Sequence, residues 1–453
     1  MSRFRVNRAL WSCSLASLAF VATLAALAYL NPARQISLDF GYEFGNIAAS
    51  LAEGRGFSDP HATGSGATAW MAPLLCWIMA AVFCLLGVKT FAAALLLTVV
   101  KWVSLALTAG LLGQSGIAFM LLFWLGLAAN LSWLASDLSD PWLVMLVAAW
   151  AVTGRTCRPA GWLAAISAPL VSPALAGALC VVLWLRREPK QLAALLVVGG
   201  LWCLRGGWWV GVWVPIKSNG GFEFYQSNVL SASGLLSSEV LLSHHPLMGG
   251  SPLRQQFRNQ GEASFCRHYQ QLAGETLMTQ PAAWLSKVGR RLGNAFVCLQ
   301  DPNDVRLGSE LAGEDRWQLE EARLVLTTSR GYYWLCLSAS EEQFLQQLSP
   351  LKLLHPEGVL QSWKAARSKL QRTQSSWSAR LWGLCFAGLP TLALLLGWAR
   401  GRGGDAAFRE AALLYLLTLL PYLLISHYAR YQLGLLPLQC WLVGLGLRPG
   451  NEP

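Results

Sequence analysis

The sequence predicts an all-α polytopic membrane protein, and three observations predict it. Of 453 residues, 54% are hydrophobic and only 13% charged, whereas soluble domains carry about 25% charge. There are 22 Trp, a residue that collects at the membrane–water boundary. The apolar runs approach the ~20 residues a spanning helix needs, and short basic loops close them.

Charge sets the threading, element by element. Arg3, Arg5 and Arg8 precede the apolar run Leu10–Leu30. The run reads as a first span leaving the cytoplasm, or as a signal peptide open to cleavage near Ala26. A polar loop, 31–66, follows on the outer side. If every later run spanned, the Arg155–Arg158 loop would fall outside, against the tendency of basic loops to stay inside. Placing Ala67–Gly87 at the outer surface, or as a re-entrant segment, restores the parity. Lys89–Leu112, Gly116–Ala135 and Asp140–Thr153 follow as spans. Pro169 and Pro173 then interrupt Ala160–Leu185, so it reads as a short helical pair turning at the outer side. Gln191–Leu204 leaves again. Leu381–Ala399, Ala411–Ser426 and Tyr431–Leu447 complete about ten spans, several of them short for a bilayer.

Three regions result: a transmembrane module over 1–205, an extracytoplasmic domain over 206–376 and C-terminal helices over 377–453. The outer domain is expected to be mostly helical. Trp284, Val288, Leu292 and Phe296 recur at helical spacing, and Ser340 with Gln343 reads as a capping box for Glu341–Leu348. In this threading the first loop, the turn Asp137–Asp140, the large domain and the turn His427–Arg430 all share one side.

The net charge is +11, yet the basic residues sit at segment ends rather than in a stripe. That distribution speaks for topology and against nucleic acid. Eleven cysteines form no framework and show no zinc spacing; Cys298 and Cys336 could pair within the loop domain. Gly401–Gly404 follows no strand and lacks the P-loop lysine, so it reads as a turn.

The first loop carries Asp39 and Glu43 just beyond the first span, then Asn46, Ile47, Ser50 and Leu51 at helical spacing. Either carboxylate suits a general base that takes a proton from a hydroxyl; either equally suits a charge marking a helix N-terminus. Lys101 falls near the middle of an apparent span, which reads as function, as snorkelling or as a displaced span.

The run YEFGNIAASLAEGRGFSDP, followed by TAWMAPLLCWIMAAVFCLLG, resembles the start of the polyprenyl-phosphate-sugar-dependent GT-C glycosyltransferases. The residues that carry the likeness are Glu43, Ile47-Ala48, Leu51, Gly54, Gly56-Phe57, Pro73 and Leu86-Gly87. HYARYQLGLLPLQCWLVG resembles the same superfamily's closing span at Arg430, Tyr431 and Pro437, and APLVSPALAGALCVVLWLRR resembles its central pair. The likeness covers most of 35–205 and 405–447. It departs in two places: Asp39 and Glu43 stand four apart where relatives often have adjacent acids, and Pro73 stands alone where relatives have two prolines.

What the resemblance implies is a GT-C-like transmembrane bundle with an inverting transfer of a sugar from a polyprenyl-phosphate donor. The acceptor, a glycan, lipid or protein, would lie on the outer face of a bacterial-type inner membrane. Glu43 or Asp39 would be the catalytic base, with Glu43 favoured by its spacing to Ile47-Ala48. Arg430, Arg205, His427 and Lys217 become candidates to meet the charge of the leaving lipid phosphate. Arg430 leads, because a guanidinium fork suits phosphate; its other reading is an interfacial anchor, and that of Arg205 a span end. Asp137 and Asp140 would position acceptor or metal, or else cap the helix that starts at Pro141. Some relatives bind a divalent metal; the spacing here shows no ligand cluster. His244, His245 and Glu262 read as surface polar residues, or as the lining of an acceptor cleft. Two other classes fit the same chain: a flippase for lipid-linked sugars, which would favour repeated halves not seen here, and a non-catalytic membrane assembly protein.

Overall fold

A computed structural model describes residues 15–27, 38, 40–213, 216–231, 234–236, 240, 244–247, 251–296, four strands between 310 and 336, 342, 344–345, 360, 363–364, 377–427 and 429–447. The chain is predominantly helical. Proline sets much of the segmentation: Pro73, Pro141, Pro173, Pro189, Pro252 and Pro281 each occupy the first position of a helix, where its fixed φ is favourable and its missing N–H is not needed.

Helix α1 (Leu15–Leu27) packs on α5 (Ile117–Ala129), with Phe20 stacked on Trp124 at 4.4 Å. Helix α2 (Glu43–Ala52) lies against α3 (Pro73–Leu86). At 14 residues, α3 is about 21 Å long and falls short of a hydrocarbon core of ~30 Å. Helix α4 (Phe91–Ser115) is the longest apolar helix, and Thr90 caps its start by accepting the Ala93 N–H at 3.2 Å. Asn130 ends α5 and separates it from the short α6 (Leu131–Ser136). Lys101 of α4 is 1% exposed and donates to the carbonyls of Leu134 and Asp137. Its charge is thus spent on backbone acceptors where α6 ends.

Helix α7 (Pro141–Thr153) is buried along almost its whole length and packs on α4, α8 and the last helix. The expected helical pair is α8 (Arg158–Val171) and α9 (Pro173–Leu185), broken at Ser172, whose hydroxyl caps α9 at Leu175 N. Pro169 stays inside α8; only Pro173 makes the break. Helix α10 (Pro189–Trp209) leaves Leu196, Val197, Leu201, Trp208 and Trp209 exposed along one face.

The loop domain contributes α11 (Gly220–Tyr225), which runs on as a π turn over Gln226–Leu230, then α12 (Pro252–Thr279) and α13 (Pro281–Phe296). Helix α12 is interrupted at Gly261, whose φ is 72°. An antiparallel meander follows, β1 (Glu310–Ala312), β2 (Asp315–Glu320), β3 (Arg323–Thr328) and β4 (Gly331–Cys336), in sheet order β1-β2-β3-β4. This sheet departs from the all-α expectation. Tyr332, Tyr333, Trp334, Val325 and Thr327 are β-formers without helical periodicity, which explains the local choice. The capping box at Ser340–Gln343 and the Cys298 half of the suggested pair lie outside the described residues.

The C-terminal part is α14 (Trp377–Ala399), α15 (Ala406–Leu424), α16 (Ala429–Leu433) and α17 (Leu436–Gly446). Helices α9, α15 and α17 pack in series, and α17 closes back on α5, α7 and α14. Among the described residues three helices are long and apolar enough to cross a membrane: Phe91–Gln114, Pro189–Trp209 and Ala406–Leu424. The other apolar helices are shorter, between 10 and 17 residues, with α14 counted over Gly388–Ala399 alone.

The amphipathic α13 joins the domain to the bundle. Arg291, fully buried, donates through Nη1 to the carbonyls of Leu423 (3.0 Å) and Leu424 (3.1 Å), through Nε to Gly234 (2.8 Å) and through Nη2 to Asn228 Oδ1. Trp284 Nε1 also donates to Leu424, and Lys287 donates to the carbonyls of Asn228 and Ser231. Burial lowers the Arg291 guanidinium to about 10, still charged at neutral pH.

Candidate active site

Helix α2 starts from a turn in which Phe40, Gly41 and Tyr42 all have positive φ, 52°, 66° and 57°. Left-handed backbone is unusual for bulky residues and costs of order 1–3 kcal/mol each. Two aromatics held there mean that the surroundings dictate the turn. Phe40 is fully buried edge-on to Phe83 at 5.1 Å. Gly45 allows α2 to close over it, since a Cβ at position 45 would stand 2.5 Å from Phe40 Cβ. Gly41 lies against the backbone of Ser139, so the first loop touches the Asp137–Asp140 turn. The product of this geometry is Glu43, 8% exposed in the first turn of α2.

After α2 the chain folds back as a hairpin. The Asp59 N–H donates to Gly66 C=O at 2.8 Å and the Thr68 N–H to Phe57 C=O at 3.1 Å. The Asp59 carboxylate accepts from Gly66 N, Arg55 Nε and Ser50 Oγ. That ring turns His61 inward, 2% exposed and edge-on to Trp70 (4.7 Å) and Phe257 (4.6 Å). Both His61 ring nitrogens are buried with no hydrogen-bond partner. Burial first, then the neighbouring His245 and Arg254, pushes its pKa well below the ordinary value, so the imidazole stays neutral and keeps a lone pair.

His245 completes the group. It is 8% exposed, its Nδ1 accepts the Leu247 N–H at 3.1 Å, and its Nε2 stands 3.5 Å from Glu43 Oε1. One ligand atom each from Glu43, His61 and His245 lies within 4.8 Å of the other two. A tetrahedral ion with bonds of about 2.1 Å holds its ligands roughly 3.4 Å apart, so rotamer-scale closure brings the three into range. Two imidazoles and a carboxylate suit a zinc-like divalent cation with an open fourth position. The tautomer separates two states. With Nδ1 accepting from Leu247, His245 carries its proton on Nε2 and donates it to Glu43. With the proton on Nδ1, Nε2 becomes a ligand and the Leu247 contact is released. The fold thus brings together, from segments about 180 to 200 positions apart, a group that could hold a metal ion and that the sequence spacing does not show.

Two charged groups hold the hairpin in place. Glu262, 3% exposed, accepts from Thr68 Oγ1, from Ala69 N at 2.7 Å and from Ser218 Oγ at 2.7 Å. Burial raises its pKa, opposed by these donors and by Arg205. Arg205 donates to the carbonyls of Thr68 and Phe57 and stacks on the rings of Phe57 (4.9 Å) and Trp202 (5.0 Å). Both groups thus act on backbone of the first loop. Arg254 does the same from α12, bridging the carbonyls of His61, Pro246 and Leu247.

No protein-family model, curated protein or solved structure matches the chain.

The remaining candidates fall as follows. Lys217 is half-buried with Nζ 5.9 Å from the Phe44 ring centroid, and the Cys76 thiol lies within electrostatic reach of Lys217, Asp140 and Glu43 together. Asp137 accepts from the backbone N–H and hydroxyl of its neighbour Ser139 at 2.6 and 2.7 Å. Asp140 is the N-cap residue of α7 but makes no side-chain cap. Arg430 lies in α16, with its side chain outside the description. Asp39 is outside the described residues.

His427 is 1% exposed, and burial, aided by Arg291, lowers it to about 4. Two sequence expectations need correction. His245 and Glu262 are buried, not surface residues. His61 escaped sequence reasoning entirely. Its only signal was position: one of six His in the chain, directly after Asp59-Pro60 within the run that carried the resemblance.

Proposed function

We propose that the chain is an integral membrane glycosyltransferase of GT-C type, which moves a sugar from a polyprenyl-phosphate donor to an acceptor on the outer face of a bacterial-type inner membrane. The observation that carries this is the meeting of sequence-distant segments around buried Glu43. The first loop touches Ser139 through Gly41, and His245 of the loop domain reaches Glu43; a separate contact, from Tyr431 beside Arg430 to Glu223 of α11 at 3.4 Å, ties the C-terminal helices to the loop domain. A simple pore has no use for such a polar centre at one end of the bundle; a transfer reaction does, since it must gather a base, an acceptor and a leaving group. The apolar helices and the exposed Trp208, Trp209 and Trp213 support seating in a bilayer with that end near its surface.

In this reaction the acceptor hydroxyl gives its proton to a carboxylate, its oxygen bonds to the anomeric carbon, and the bond from that carbon to the lipid phosphate breaks with inversion. Glu43 and Asp39 are the two carboxylates for the proton. Lys217 and Arg430 are the cations for the departing phosphate. A divalent ion held by His61, His245 and one oxygen of Glu43 would supply Lewis acidity at this centre, leaving the other Glu43 oxygen for the proton.

The test is sugar transfer by the purified protein from a radiolabelled polyprenyl-phosphate sugar into membrane extract. Glu43→Gln should lower transfer about 100- to 10,000-fold while donor binding persists, and Asp39→Asn should be milder; the reverse order would assign the base to Asp39. Metal content measured by mass spectrometry should fall in His61→Ala and His245→Ala. Normal transfer by both carboxylate variants would overturn the reading.

A further inference from the structure

The opposite end of the bundle holds a second polar centre that sugar transfer does not use. There the loop after α7, the end of α9 and the first turns of α15 meet. Glu410 of α15 accepts from Arg186 at 2.9 Å (Nη2) and 3.0 Å (Nε), and stands 3.5 Å from Arg155 Nη1. The Arg186 and Glu410 side chains are 8% and 11% exposed, that of Arg155 44%. Arg186 also donates to the Ala151 carbonyl at 3.2 Å, so its fork is committed. Arg155 has one long contact and otherwise faces outward.

Beside this triad lies a cavity of about 330 Å³, at the small end of ligand pockets. Its polar wall is Arg155, Thr156, Arg186, Glu410 and Gln114; its apolar wall includes Phe119 and Trp441, stacked at 4.8 Å. Two guanidiniums face one carboxylate, which leaves one positive charge in excess. The adjoining helix ends and turns of the chain add Arg187, Lys190, Arg400, Arg402 and Arg409 against Glu188 and Asp405, so the local field attracts anions. One wall binds charge and the other binds hydrocarbon, and the space holds a headgroup with the first carbons of a chain. The match is a lipid, not a soluble polyanion.

We propose that this cavity binds the phosphate of an anionic membrane lipid, with Arg155 contacting the phosphate and Phe119 and Trp441 flanking the first methylenes. Arg186 neutralises Glu410, which frees Arg155 to exchange its long carboxylate contact for a charge-assisted pair with phosphate. Basic pockets between helices on the cytoplasmic side bind anionic headgroups by the same physics. This site stands whether or not the other end transfers sugar.

The full chain, delipidated in detergent, would be titrated with short-chain phosphatidylglycerol, phosphatidylcholine or inorganic phosphate, and bound lipid counted by native mass spectrometry. Phosphatidylglycerol should bind saturably with one tight site, and phosphatidylcholine about tenfold or more weakly. Arg155→Gln should weaken that site about tenfold or more, and Arg158→Gln, an equal charge change on the same turn, should leave it intact. Arg155→Lys preserves the charge beside Glu410 and guards against misfolding; it should bind with intermediate affinity. Equal weakening by Arg155→Gln and Arg158→Gln would reduce the effect to a diffuse field and overturn the site. Displacement of the lipid by inorganic phosphate at matching concentration would overturn its assignment to a lipid.

Discussion

At the scale of single residues, the two buried histidines His61 and His427 are the anomalies. Each has both ring nitrogens buried without a partner, and an unmet buried polar group costs about 1–3 kcal/mol. For His61 the proposed metal site with Glu43 and His245 would give that cost a purpose. For His427 the consequence is a pH dependence. Its folded pKa, about 4, lies below an unfolded value near 6.5, so the unfolded chain takes the proton first. Stability is full above pH 6.5, declines as pH falls toward 4, and levels off below, for a loss of about 3 kcal/mol. Thermal unfolding in detergent should show this decline, and His427→Leu should flatten part of it, His61 supplying a further share of the same sign. A pH-independent midpoint in the parent protein would refute the assignment. At this scale the sequence was half legible. Glu43 was found because its neighbours Ile47, Ala48 and Leu51 carry a pattern, whereas His61 and His245 acquire meaning only from each other, across a separation no local spacing records.

At the scale of elements, prolines and basic loops made the helices readable, so α4, α7, α10 and α15 fall close to their expected runs. Less legible was what holds the first loop. Glu262 sits just after the Gly261 break in α12, and its three donors come from Thr68, Ala69 and Ser218. Nothing in the sequence of α12 pairs it with a hairpin 193 positions earlier. Glu262→Ala leaves those donors and Arg205 uncompensated and should cost about 3 kcal/mol. Glu262→Gln keeps an accepting oxygen and should cost clearly less. Differential scanning calorimetry of both variants checks the order; equal losses would mean that packing, rather than hydrogen bonding, holds the clamp. The sheet β1–β4 was missed because helical periodicity elsewhere in the domain was extended over a β-forming stretch.

At the scale of the whole molecule, the bundle has two chemically different ends. One gathers the first loop, Ser139, the loop domain, Ser426 and Tyr431; the other gathers Arg155, Arg186 and Glu410. The proposed seating puts the first end outside. A cysteine at Met278, 85% exposed, should then react with a membrane-impermeant thiol reagent in intact cells, and one at Gly404, with nothing within 4 Å of its Cβ position, should not. Reversed labelling would invert the topology and move both sites to the wrong compartments. The staple at Arg291 also has a consequence in time. Its acceptor at Leu423 is 132 residues further along the chain, roughly 7–26 s of translation at about 5–20 residues per second. Through that interval Arg291 has only its earlier acceptors, Gly234 and Asn228, so α13 cannot complete its docking on α15, and the side of α13 that meets α15 stays uncovered. The protein is completed from its C-terminal end, and factors that shield nascent chains have that interval in which to act.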